Sequence, residues 1–388
     1  MKILYFSFVE LDIPNACQTH TLGVLKGLSD QGASIDAVLP RSIRVKPEIP
    51  GVRFLYIWPW RFSSLGISWI KLVSAFYFFL LCSVKRYDAI YVREIELNPF
   101  PRWCSRLFRI PHFIEVNAIR LHEEYIESGR ARRIEKTRTA DFRSATGLIT
   151  PSFQMSRWIA THYHVTEDRI HTIPNGFLPP EKETISRAES LSRLGLPENG
   201  FYLGYMGNIW AAYDLDGLLE AVDICRKDIP NLRLLIIGGG PGMEGMREKG
   251  LRMGLKDNLI FAGYVQPENL FQVMGAIDIG SIYMTEKGLQ DSGPITTRFA
   301  TYAGFGVPVI CNDYQMEDYP AELIQGLSLV PHSSPRLLAQ AITSLYLHPE
   351  VRKEKAHALK RYVFSHMTWQ RVAEEIMTLI KKDGHKKG

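Results

Sequence analysis

Short apolar runs alternate along the chain with stretches of helical period. Residues 2–9 are apolar without a two-residue alternation, as in a strand buried on both faces. Residues 21–31 place Leu22, Leu25 and Leu28 on one helical face and stop at Gly32; residues 34–39 read as the next strand. This strand–helix–strand opening predicts a parallel sheet. Residues 87–92, 111–117, 147–152 and 170–177 supply further strands, and 118–138 read as a charged helix. After a polar stretch the plan repeats, with strands at 201–206, 232–237, 259–263 and 277–283, helices at 215–226 and 266–274, and a helical region to about residue 381. Two α/β domains follow: residues 1–178, a connection over 179–199 that holds Pro179, Pro180 and Pro197 and has no apolar strand, residues 200–360, and a closing helix and tail over 361–388.

The most informative stretch runs from Asp291 to Ile310. It predicts a loop with Gly293 and Pro294, a helix over 296–303 stopped by Gly304 and Gly306, and a buried strand over 307–310. Free N–H groups at such a helix start attract phosphate, and Arg298 falls in the first turn, where a guanidinium can fork onto a phosphate pair. The competing reading is an ordinary core helix with one solvated arginine. In a parallel sheet, ligands collect at the carboxyl ends of the strands, so residues 15–20 face a crevice as well. The competing reading there is that Asn15 and Thr19 only cap a helix.

Composition narrows the class. A chain of 388 residues, 46% hydrophobic and 22% charged, fits two globular domains and excludes disorder. Cys17, Cys82, Cys104, Cys225 and Cys311 form no Cys-x-x-Cys pair, so neither a zinc site nor a disulfide framework is expected, in keeping with a reducing cytosol. The first residues run into a strand without a signal-peptide pattern, and a cytoplasmic location is expected. Residues 1–180 hold 23 Lys and Arg against 16 Asp and Glu, which favours an anionic partner for that half. Within it, residues 62–84 are apolar and aromatic. Lys71 leaves a run of only thirteen residues, too short to span a bilayer, and no acid lies between Arg61 and Arg86. The expectation is either an interfacial helix on anionic lipid, peripheral at the inner face of a membrane, or a core helix under the sheet.

Gly240-x-Gly242-x-x-Gly245 after a strand has the form of a dinucleotide fingerprint. The following strand ends Ala262-Gly-Tyr-Val265, without the acid that would hold a ribose, which argues against a nicotinamide enzyme.

Ile173-Pro-Asn-Gly176, Met206-Gly207, Leu235-Ile-Ile-Gly-Gly-Gly-Pro241, Asn258-Leu-Ile-Phe-Ala-Gly-Tyr-Val265, the run from Tyr302 through Gly306-Val-Pro-Val-Ile310, and Trp369 follow one another along the chain. In this order they resemble the GT-B glycosyltransferases, and among them the retaining family 4 enzymes, over nearly the whole chain. Ile90-Tyr-Val-Arg-Glu94 and Ile114-Glu-Val-Asn-Ala118 are similar to the family's fourth and fifth strands. The resemblance implies two Rossmann-like domains facing a cleft, the second holding a nucleotide-sugar and the first an acceptor or membrane. It also implies a last helix that crosses back onto the first domain.

By position the resemblance implies donor-binding roles for Asn15, Ala16, Gly207, Asn208, Tyr213, Gly238, Val265, Arg298, Thr301 and Tyr302. It implies acceptor-side roles for His20, Arg93 and Glu115, and catalytic roles for Asn117 and Arg298. Several family residues are replaced. The glutamate pair falls on Gly293 and Thr301, the Arg–Lys pair on Asn208 and Tyr213, the first-loop glycines near Asn15 and Ala16, and the fifth-strand histidine on Asn117. The function implied is glycosyl transfer from a nucleotide-sugar to a glycan or lipid-linked acceptor, without a metal or other cofactor and without nucleic acid as a partner. The alternatives are a catalytically inactive GT-B homologue that binds a partner or glycan, and a sugar-nucleotide epimerase of the same fold.

Overall fold

The computed structural model describes residues 1–13, 15–57, 66–94, 98–117, 131–179, 185–209 and 212–384, the side chains of 66–71 excepted. The chain forms two compact units, Met1–Gly176 with Trp369–Gly388, and Phe177–Thr368.

The first unit is built on seven parallel strands: β1 (Lys2–Phe6), β2 (Ser34–Pro40), β3 (Val52–Ile57), β4 (Ala89–Arg93), β5 (His112–Glu115), β6 (Gly147–Thr150) and β7 (Ile170–Thr172). Their order is β3-β2-β1-β4-β5-β6-β7, so the topological switch lies between β1 and β4. Alternate residues of β1 serve two cores, because side chains of a strand leave by opposite faces. Ile3 and Tyr5 pack with the Ala16–Asp30 and Trp369–Gly384 helices; Leu4 and Phe6 pack with Phe78 and Cys82 of the Gly66–Val84 helix. The first helix starts where the Asn15 side chain accepts from Gln18 N at 3.0 Å, and ends before Gly32 at φ 79°. Gly23 and Gly27 let it approach the last helix, since a Cβ on Gly23 would overlap the Trp369 indole and one on Gly27 would stand 2.5 Å from the Trp369 carbonyl oxygen.

The second unit holds six parallel strands: β8 (Phe201–Asn208), β9 (Leu232–Gly239), β10 (Leu259–Gly263), β11 (Ile279–Ile282), β12 (Val309–Asn312) and β13 (Ser328–Val330). The order β10-β9-β8-β11-β12-β13 places its switch between β8 and β11. The Leu215–Cys225 and Pro335–Leu347 helices cover one face through Leu218, Val222, Leu338 and Ile342.

Several elements differ from the sequence expectation. Strand β3 lies within residues 41–61, a Pro-rich, basic and aromatic stretch in which no strand is expected from the sequence. It is an edge strand whose side chains are mostly half-buried, so its apolar signal is weak. The stretch expected to connect the domains lies inside the second unit and contains the helix Arg187–Leu194, with a capping box between Ser186 and Glu189. The closing element begins with Trp369, so residues 361–368 stay with the second unit in the Pro349–His366 helix and its end. Residues 266–274 form 3₁₀ turns in place of a helix. Of the expected charged helix, residues 118–130 lie outside the described residues and Ala131–Ser144 is helical.

The Gly66–Val84 helix shows both faces that the sequence left open. Phe78 and Ser74 are fully buried, whereas Leu72, Phe76, Phe79, Leu80 and Val84 are exposed. Trp103 and Leu107 of the adjoining Phe100–Phe108 helix are exposed too. Among the described residues no helix is long and apolar enough to cross a membrane. Arg61 lies outside the described residues, as does the side chain of Lys71.

Candidate active site

In the second unit, β8 ends in Gly207 and Asn208 beside Gly238 and Gly239 of β9. Gly207 takes φ 119° and Gly238 φ 142°, conformations open to glycine, and a Cβ on Gly238 would run into the Gly207 carbonyl. A Cβ on Gly207 would stand 2.5 Å from Nη2 of Arg298. The bare backbone at Gly207 therefore makes the space that Arg298 fills.

Arg298 is the second residue of the Thr297–Gly304 helix, and only 8% of it is exposed. Its guanidinium carbon lies 3.9 Å from the ring centroid of Tyr213 and 4.4 Å from that of Tyr205, and the two rings meet edge to face. Its Nη1 is buried without a hydrogen-bond partner among the described residues. Burial alone would push a guanidinium toward neutrality, and the neighbouring tyrosine oxygens outweigh that. A desolvated cation with an open donor at a helix start is an anion-binding arrangement.

The other donor-side candidates divide. Asn208 is exposed, and its carbonyl accepts from the Tyr205 hydroxyl at 2.7 Å. Thr301 donates to the Thr297 carbonyl at 3.0 Å, one turn back in its own helix. Tyr302 is fully buried, and a Cβ on Gly280 would stand 2.6 Å from its ring, so it is core beneath the sheet. Val265 follows β10 and is half-buried. In the first unit, Asn15 caps the first helix and Ala16 is exposed.

On the acceptor side the structure brings together residues almost a hundred positions apart. Glu115, at the carboxyl end of β5, is 4% exposed. Its Oε1 is paired with Nε2 of His20 and accepts from Asn117 Nδ2 at 3.1 Å, and its Oε2 accepts from the Tyr91 hydroxyl at 3.0 Å. Burial alone would raise the Glu115 carboxyl. The His20 imidazole, the Arg93 charge and the Asn117 bond overcome it and bring the value down to about 2. Arg93, at the end of β4, reaches Cys17 Sγ at 3.3 Å with its Nη2, and the edge of His20 meets the Trp369 ring at 4.9 Å. Tyr91, which sequence reasoning missed, is positioned by stacking on Tyr5 at 5.7 Å. Its only sequence signal was its place in the fourth-strand motif.

Chemically, then, the first unit offers a buried carboxylate held ionised beside an imidazole. The second unit offers the desolvated guanidinium of Arg298.

Two family models match the chain: "Glycosyl transferase 4-like domain" over residues 15–176 and "Glycosyl transferases group 1" over residues 186–366. The chain belongs to the GT-B glycosyltransferases, with a family-4-like amino-terminal domain. It is 24% identical over 218 residues to a 2-deoxystreptamine glucosyltransferase from Streptomyces kanamyceticus, covering 54% of this chain and 56% of that one. It is 23% identical over 229 residues to an alpha-monoglucosyldiacylglycerol synthase from Streptococcus pneumoniae, covering 56% and 50%. The matched part thus spans about half the length of these relatives. Among solved structures, Anabaena HepE in complex with UDP-glucose superposes with a TM-score of 0.73 at 17% identity, over 98% of this chain and all of that one.

Proposed function

We propose that the protein transfers a sugar from a nucleotide-sugar to a glycan or glycolipid acceptor, with retention at the anomeric carbon, in the assembly of surface polysaccharide or glycolipid. The observation that carries this reading is Arg298, a buried guanidinium at a helix start with a donor left open. Breaking the glycosidic bond of the donor releases a nucleoside diphosphate, and the negative charge that builds on it must be met in the transition state. Arg298 meets it. The departing diphosphate takes the proton of the acceptor hydroxyl, so no protein nucleophile is required. Asn117, His20, Arg93 and Glu115 hold the acceptor, and no metal takes part.

The membrane is the second element of the proposal. The exposed apolar face of the Gly66–Val84 helix, with exposed Trp103 and Leu107 on the adjoining helix and the exposed Arg86, Arg106 and Arg109 nearby in sequence, rests on anionic lipid without spanning it. This supports an acceptor that is itself anchored in lipid.

One observation favours a different reading. The two positions where the family carries glutamates hold Gly293 and Thr301, and the Thr301 hydroxyl is bonded within its own helix. A catalytically inactive homologue that binds sugar-nucleotides or glycans would tolerate this. A screen of UDP- and GDP-sugars, read for binding by calorimetry and for released diphosphate by enzymatic assay in the presence of chelator, separates the two. Binding with turnover supports the transferase; binding without turnover on any donor supports the inactive homologue.

A further inference from the structure

The chain has five cysteines without a Cys-x-x-Cys pair, and all five are free thiols in the fold. Folding nevertheless sorts them. Cys225 lies in the core of the second unit and donates to the Ala339 carbonyl at 3.3 Å, Cys311 is fully buried in β12, and Cys17 accepts from Arg93. Cys82 and Cys104 share one core, on the face of the first sheet that Leu4 and Phe6 serve.

The two helices that carry this pair are in contact. Cα atoms of the Gly66–Val84 and Phe100–Phe108 helices come within 8 Å of one another, near the separation that a disulfide spans. The Phe79 and Phe108 rings meet across the seam at 5.8 Å. Cys82 stands three residues after Phe79 and Cys104 four before Phe108, so each thiol leaves its helix on the stripe that also carries the ring. The thiols act on each other directly. Hydrogen bonding with Cys104, then burial, holds the proton on Cys82, and the same bond favours the thiolate of Cys104 against the opposing effect of burial. Both residues are 6% exposed, so the pair is shielded but not sealed from a small oxidant.

We infer that Cys82 and Cys104 are a redox-active dithiol that a small peroxide, such as hydrogen peroxide, closes to a disulfide. The Cys104 thiolate attacks one peroxide oxygen and the O–O bond breaks. The sulfur becomes a sulfenic acid, and the departing hydroxide leaves as water with the proton that Cys104 has released. Cys82 then attacks that sulfur. The S–S bond forms, the S–O bond breaks, and the leaving hydroxide takes the Cys82 proton to give a second water. Two thiols and one peroxide thus give one disulfide and two waters, with two electrons passing from the sulfurs to the peroxide.

The bond ties together the two helices that expose Phe76, Phe79, Trp103 and Leu107, so oxidation stiffens the apolar face of the first unit from beneath. A transient, redox-sensing disulfide is the kind that a reducing compartment permits. None of this requires donor turnover or contact with lipid.

The test is peptide mapping of the full chain. Reduced protein is treated with hydrogen peroxide, capped with N-ethylmaleimide and digested without reductant, beside a sample oxidised while unfolded in guanidinium. The expected result in the folded sample is a Cys82–Cys104 cross-linked peptide at least tenfold more abundant than any other cysteine pairing, and its loss on treatment with dithiothreitol. In the unfolded sample the pairings should spread over all five cysteines. Cys82→Ala should leave Cys104 as a sulfenic acid that dimedone labels, whereas Cys104→Ala should leave Cys82 at least tenfold less labelled. Oxidation should raise the thermal midpoint of the unmodified protein by about 5 °C, and Cys82→Ala should lose that rise. The mapping needs no variant, so it decides even where a substitution fails to fold. No cross-linked peptide, a folded-state pairing pattern equal to the unfolded one, or a midpoint lowered by oxidation overturns the dithiol. Labelling of Cys82 in preference to Cys104 overturns the order of attack.

Discussion

The ring of Tyr213 lies 3.9 Å from the guanidinium carbon of Arg298, at the position where the resembled family carries a lysine. A second cation that close would repel the first, whereas an aromatic face attracts it. Arg298 thus stands in an aromatic frame where the resembled family sets a lysine beside it. Replacing Tyr213 by Leu should lower stability by about 0.5–2 kcal/mol, and Tyr213→Phe should keep most of it, because the ring carries the attraction. Chemical denaturation of the three proteins measures this; equal losses for Leu and Phe would show that the ring is not what holds Arg298.

Arg298→Ala should weaken UDP or GDP binding by about 1.5–3 kcal/mol, the range for a hydrogen bond to a charged group. Titration calorimetry gives the number directly. Unchanged affinity would remove Arg298 from the donor site.

Thr301→Glu addresses the missing carboxylate. The Thr301 hydroxyl is already bonded to the Thr297 carbonyl, so the ribose is held elsewhere if the site has been rebuilt. On the transferase reading the substitution leaves nucleotide affinity unchanged or lower. A gain of about 1 kcal/mol, one hydrogen bond's worth, would mark a decayed site and favour the inactive homologue.

Glu115 makes the first unit sensitive to acid. Its folded value of about 2 lies below the ordinary 4.5, so the unfolded chain binds the proton more readily. The stabilisation is therefore complete above pH 4.5 and is lost as pH falls toward 2, by about 3 kcal/mol over that window. Glu115→Gln should flatten the pH dependence of unfolding between pH 4.5 and 2, followed by tryptophan fluorescence. An unaltered slope would mean that the pair with His20 is not formed.

The apolar face of the Gly66–Val84 helix predicts flotation with acidic liposomes at low salt and release at high salt. Phe76→Ser with Phe79→Ser should abolish flotation with little loss of stability, because both side chains are more than half exposed. Absence of the unmodified protein from the lipid fraction at low salt would refute the membrane role.

Much of this architecture was legible because parallel strands are buried on both faces. Ile3 through Phe6 and Phe201 through Met206 read as strands from composition alone, and Arg298 was found from its register with the Gly306-Val-Pro-Val-Ile310 run. Strand β3 was not legible, since an edge strand shares its outer face with solvent and needs no continuous apolar run. The Arg187–Leu194 helix is short and polar, and the Ser186–Glu189 capping box was the signal that would have located it. The Glu115–His20 pair joins positions on β5 and the first helix, and only the strand order brings them together. The Asp12 tether on residues 42–45 is of the same kind: four donors from one loop meet a carboxylate thirty residues earlier, with no local pattern to announce it.

The first unit takes its last helix from residues beyond the second unit, and this orders events during synthesis. Residues 177–368 emerge as one uninterrupted block and hold everything their own core requires. The amino-terminal sheet leaves the ribosome earlier but must wait for Trp369, whose indole fills the space that Gly23 and Gly176 leave open. Until then its Ala16–Asp30 helix carries an uncovered apolar groove past the whole translation of the second unit, a window in which a nascent chain is most exposed to aggregation and chaperone capture.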